Sequence, residues 1–97
     1  MSSCNTDVQL SQNGYDFVVD DVIGWRKHLS NRNSILVLVK PDDRFHMRFF
    51  TGSYESIAEI YAETIQAGEI LLLKKARDYY YKKYQEINSL LTERNTI

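Results

Sequence analysis

Residues Glu69 to Arg94 read EILLLKKARDYYYKKYQEINSLLTER, a run without proline or glycine. Leu73, Ala76, Tyr80, Tyr84, Ile87 and Leu91 recur at spacings of three or four and so share one face of a helix. Leu72, Tyr79 and Leu90 widen that face beyond a narrow two-helix seam. The spacing therefore predicts one long amphipathic helix over 69–94. Its middle is basic, with Lys74, Lys75, Arg77, Lys82 and Lys83 against a single Asp78. The rest of the chain has to cover the apolar stripe of this helix.

Ahead of it, Tyr54 to Ala67 carries Tyr54, Ile57, Ala58, Tyr61 and Ile65 at helical spacing and Glu55, Glu59 and Glu63 four apart. A second helix is expected there, capped by Ser53 and ended at Gly68. Two helices with so short a break make either a helical hairpin or a kink. The hairpin is the preferred reading, because it closes the two apolar faces on each other and brings the acidic rail near the lysines.

Further upstream, Ser34 to Lys40 (SILVLVK) is the clearest strand. Pro41, Asp42 and Asp43 form a turn. Arg44 to Phe50 returns with Phe45, Met47 and Phe49 on one side and Arg44, His46 and Arg48 on the other. Tyr15 to Asp20 reads as a short strand after the turn at Gly14. Asp20 or Asp21 is expected to cap a short helix with Val22, Trp25 and Leu29 on one face, weakened by Gly24, with Arg26, Lys27 and His28 near its C-terminal end. Residues 1–13 are expected as a polar, flexible tail and 14–97 as a single domain. The fold class is then α+β: a small antiparallel sheet of about three strands in the order β-α-β-β-α-α, packed against helices.

Ninety-seven residues support one thin core. A net charge of −1 gives no global case for nucleic acid or an anionic membrane. The charge is blocked, however: residues 1–21 hold only acids, 22–50 are net basic, 51–73 hold only acids, and 74–84 are basic again. Blocks on this scale neutralise each other in a fold more often than they await a partner. The longest aliphatic run, Ile35 to Val39, is too short to span a bilayer, and the N-terminus has no signal-peptide pattern. The single cysteine, Cys4, excludes an internal disulfide and fits a reducing, cytoplasmic setting.

Chemistry is sparse. The histidines, His28 and His46, have no recognisable nucleophile beside them. No HExxH, second cysteine or calcium-loop spacing offers a metal site. Asp20–Asp21 and Asp42–Asp43 are explained by cap and turn chemistry. No cofactor and no enzymatic activity are expected, although His46 meeting an aspartate in the fold remains a third hypothesis.

Two basic surfaces are left. On the helix, Tyr79, Tyr81, Lys82 and Lys83 are the candidate surface for a protein partner, since Tyr and basic residues suit such contacts. Ile87, Leu90 and Leu91 would overhang the sheet and are the candidate homodimer contact. The alternative is a nucleic-acid surface built from Lys74, Lys75, Arg77, Lys82 and Lys83 with Arg44 and Arg48. Phe45 and Phe49 on the opposite face weaken that alternative, because base stacking needs aromatics beside the charges. The preferred function is a small regulatory, adaptor or inhibitor protein acting by protein–protein binding.

Overall fold

The computed structural model describes the backbone of residues 2–19 and 23–95 and the side chains of 6–19 and 23–94. Asp20, Asp21 and Val22, and the Cys4 side chain, lie outside the described residues. The fold is α+β, with five strands rather than three. In chain order it comprises α1 (Ser2–Gln12), β1 (Asp16–Val19), β2 (Ile23–His28), β3 (Ser34–Val39), β4 (Phe45–Phe50), β5 (Ser56–Ala62) and α2 (Ile65–Asn95). The sheet is an antiparallel meander in the order β1-β2-β3-β4-β5.

Three expectations are corrected. Residues 23–29 do not form a helix; Ile23–His28 is β2. There Ile23, Trp25 and Lys27 alternate with Gly24, Arg26 and His28, and this period of two prevails over the three-and-four spacing of Val22, Trp25 and Leu29. Gly24 is needed for packing: a Cβ there would lie 2.9 Å from Leu38 Cδ2 and 3.0 Å from the Val37 carbonyl oxygen.

Residues 54–64 do not form a helix either, and α2 begins only at Ile65. Ser56–Ala62 is β5, with Ala58, Ile60 and Ala62 on the inner face and Glu59 and Tyr61 on the outer one. The helix-favouring Ala and Glu residues are overridden by pairing with β4. Finally, Gly68 ends nothing. It lies within α2 and is buried against β4 and β5, where a Cβ would overlap Met47 Sδ and come within 3.0 Å of the Ala62 Cβ. Neither a helical hairpin nor a kink forms.

Pairing aligns Trp25, Val37, Met47 and Ile60 in one row across the sheet, with Ile35 and Phe49 and with Val39, Phe45 and Ala62 in the flanking rows. This inner face packs under Ile65, Leu72 and Ala76 of α2, and Leu10 of α1 joins the same core. At ~25 cal/mol per Å2 of apolar surface, burial of these residues supplies the main driving force for the fold. A polar pin adds to it. Tyr15 Oη donates to Glu69 Oε2 at 2.8 Å, and Lys27 Nζ lies 3.1 Å from the same oxygen. Burial, with the hydrogen bond to the Glu69 carboxylate and its charge, pushes the Tyr15 phenol far above its usual value.

The outer face carries no helix among the described residues. Leu36 is nevertheless almost fully buried there. Register places it between Arg26 and Arg48, whose apolar stems cover it. The turns are tight. Leu29 N–H donates to the Asn33 carbonyl and Asn33 N–H to the Ser30 carbonyl, while Asn31 and Arg32 both have positive φ, as a type I′ hairpin requires. Asp43 and Tyr54 hold φ of 64° and 63° in the next two turns.

Candidate functional site

Helix α2 has two halves. Its first four turns lie on β4 and β5; from Tyr80 to Arg94 every side chain is exposed. Thirty-one residues at 1.5 Å each make a rod of about 46 Å, and the molecule is 65 Å long against 24 and 20 Å. Ile87, Leu90 and Leu91 stand on the projecting half, each more than half exposed. Ile87 and Leu91 form with Leu73, Tyr80 and Tyr84 an apolar seam that no described residue covers, whereas Leu90 lies in line with Leu72.

The other feature is a groove between α2 and the free edge of β5. Its larger hollow measures about 700 Å3 and runs from Ser56 to Glu59 along the strand, facing Lys75, Asp78, Tyr79 and Lys82. A second hollow continues it along Glu59 to Tyr61, facing Leu71 and Lys74. Tyr79 Oη donates to Glu55 Oε1 at 3.3 Å at one end of the groove. Lys75 Nζ donates to the Glu59 carbonyl oxygen at 3.4 Å in the middle.

The expected partner residues divide between these places. Tyr79 and Lys82 line the groove, with Lys75 and Arg48 beside them. Tyr81 is exposed and lies away from it; Lys83 stacks its ammonium 5.7 Å from the Tyr79 ring centroid. Lys74 and Lys75 belong to the groove side, whereas Arg77 pairs with Asp78 at 3.4 Å. At 100° per residue, Leu73, Tyr80, Tyr84, Ile87 and Leu91 fall on the side of the helix opposite the groove. One helix thus presents two separate surfaces.

The outer face of the sheet holds a third constellation. His46 stacks on Tyr61, with ring centroids 4.5 Å apart at 15°, and its Nε2 lies 3.1 Å from Glu59 Oε2. Arg48 Nε comes within 3.3 Å of the same oxygen as an ion pair, without hydrogen-bond geometry. The hydrogen bond from His46, aided by the nearby Arg48, holds the Glu59 carboxyl below its ordinary range against a smaller opposing effect of desolvation. Arg44 lies 5.9 Å from the Tyr61 ring centroid; its backbone N–H donates to Asp42 Oδ1 at 3.3 Å and its Nε pairs with Oδ2 at 2.8 Å, which together depress the Asp42 carboxyl. The partner of His46 is thus Glu59, not an aspartate. Among the described residues no three His, Cys, Asp or Glu side chains converge as a metal site would need, and no helix is long and apolar enough to cross a membrane.

Sequence reasoning missed the groove because it read β5 as a helix. It also missed Arg26, His28 and Tyr61 as members of the Arg48 face, for the same reason at β2 and β5. The signal was available in the alternation of Glu59 and Tyr61 with Ala58, Ile60 and Ala62. No family model, curated protein or solved structure matches the chain.

Proposed function

We propose that this chain is a small non-enzymatic regulatory or adaptor protein that works by binding other protein surfaces, and that it self-associates through the projecting half of α2. One observation carries the reading. A helix that remains regular for four turns beyond its sheet keeps Tyr80, Tyr84, Ile87 and Leu91 at alternating spacings of four and three. An apolar seam of that length costs solubility unless another surface covers it. Charge favours an antiparallel second copy, because residues 74–84 are net basic and residues 85–94 net acidic, so antiparallel pairing sets opposite charges side by side.

Light scattering over a concentration series tests this. The expected mass is twice 11.4 kDa, and Ile87→Glu with Leu91→Glu returns it to the monomer. A wild-type chain that stays monomeric at all concentrations sinks the dimer.

A second reading has its own support. Because β2 is a strand, Arg26 and His28 share the outer face with Arg48, Phe50 and Tyr61. An open sheet face carrying both charge and an exposed ring is how single strands of nucleic acid are held. That surface would lose affinity steeply with salt. If labelled single-stranded DNA and RNA fail to bind at low salt, the reading falls.

A further inference from the structure

The geometry points to the free edge of β5 as a docking strand for an extended, acidic peptide segment, which would add to the sheet as a sixth strand beside α2. This rests on reading the chain as a protein-binding module, but not on the α2 dimer, whose seam lies across the helix from the groove.

The meander leaves two edges, β1 and β5. An edge strand offers unpaired backbone groups, and folds commonly keep edges short or guard them with lysine. Four-residue β1 is short, whereas β5 has seven residues.

Two observations fix which β5 groups point outward. Lys40 N–H donates to the Arg44 carbonyl across the β3–β4 turn. Alternation along β4 then turns the N–H and C=O of His46 and Arg48 towards β3, and those of Phe45, Met47 and Phe49 towards β5. Their partners Ala62, Ile60 and Ala58 bond inward, which leaves Glu59 and Tyr61 with both backbone groups facing away from the sheet. Independently, the Glu59 carbonyl is the acceptor for Lys75 Nζ, reached from α2 outside the edge. Lys75 is thus the guard, and it occupies the acceptor that an incoming strand would use.

The groove beyond the edge selects for charge. Among the described residues Lys74, Lys75 and Lys82 make no ion pair. The acids along the groove already have partners, Glu59 in His46 and Arg48, Asp78 in Arg77, and Glu55, at one end, in the Tyr79 hydroxyl. The free charge facing an added strand is therefore positive. Main-chain bonds to Glu59 and Tyr61 supply affinity, and the lysines select acidic side chains on the α2 side of the peptide. The ammonium of Lys75 then moves from the Glu59 carbonyl to a peptide carboxylate.

The test uses a blocked hexapeptide of alternating valine and glutamate, with its valine–lysine counterpart as control. Both are titrated against the Ile87→Glu, Leu91→Glu chain, so that failure of the dimer reading does not affect the result. The readout is amide hydrogen exchange by NMR. The valine–glutamate peptide is expected to slow exchange at the Glu59 and Tyr61 amides, and the valine–lysine peptide is not. Glu59→Pro, which removes an outward N–H tolerated as proline on an edge, weakens binding by about tenfold or more. Lys74→Glu with Lys82→Glu also loses about tenfold. No binding at millimolar peptide overturns the proposal. So does equal binding of the two peptides, or binding without protection of the edge amides. Protection that grows with protein concentration in the absence of peptide assigns the edge to a second copy and overturns it as well.

Discussion

The two halves of α2 both carry apolar residues at helical spacing but have opposite surroundings. In the docked half, Ile65 and Leu72 are fully buried and Ala76 nearly so. In the projecting half, Ile87, Leu90 and Leu91 are more than half exposed. The projecting seam also does not continue the docked face. It begins at Leu73, about a quarter turn around the helix from Leu72, while the helix is still on the sheet. One stripe meets the sheet, and the other is covered by no described residue. Apolar spacing by itself cannot separate the two, because both obey the same period.

The sharpest way to break this comparison is to cut the same side chain in each half. Leu72→Ala should cost about 2–5 kcal/mol, since it leaves a cavity under a fully buried leucine. Leu90→Ala should change the stability of a dilute monomer by less than about 0.5 kcal/mol. Urea unfolding of both variants checks it, and equal losses would mean that the projecting half is buried in solution.

Next in size is Gly68→Ala. The added Cβ must displace buried Met47, which outweighs the roughly 1 kcal/mol gained in helix propensity. A net loss of about 1–3 kcal/mol is expected. A glycine that merely ended a helix would give no such loss, so a neutral result would contradict the docking of this turn.

A smaller effect, of opposite sign, is expected at Tyr54→Gly. Tyr54 holds a φ of 63° and is highly exposed, so glycine relieves backbone strain at the cost of unfolded-state entropy, for a net gain of about 1 kcal/mol. Thermal unfolding reads it. No gain would mean that the tyrosine ring makes contacts that offset its strain.

The smallest effect is that of acid. The Glu59 carboxyl is held below its ordinary value of 4.5. A depressed carboxylate lends stability that is present above that value and is lost as pH falls through the lower, folded one. Glu59→Gln should therefore lower the melting temperature slightly in the neutral region and so flatten its fall below pH 4.5. An unaltered acid limb would show that the His46 and Arg48 contacts contribute nothing.

Much of the central sheet was legible. The β3–β4 hairpin could be read from SILVLVK and from the alternation of Phe45, Met47 and Phe49, and pairing runs from Ser34 with Phe50 to Val39 with Phe45. The long helix was legible from its length and its freedom from proline. The outer strands were not. In β5, Ala, Glu and Ile suit a helix locally, and only the open edge of β4 makes them a strand. In β2, a fortuitous Val-Trp-Leu spacing hid the alternation that places Arg26 and His28 with Arg48. The candidate site suffered accordingly. Tyr79, Lys82, Lys74 and Lys75 were named from the helix, while the strand edge that gives them a groove was invisible.

The meander order bears on how the chain acquires its shape. Each strand pairs with its immediate neighbour in sequence, so the sheet can grow hairpin by hairpin over short loops, the regime in which folding is fast. Helix α2 follows every strand in the sequence, and its docked turns meet β4 and β5 only once those strands exist. Its seating is then the closing step. Weakening Leu72 or Ala76 should speed unfolding far more than it slows folding, whereas damage to the β3–β4 hairpin should slow folding itself. Time, as well as space, divides this molecule between its sheet and its helix.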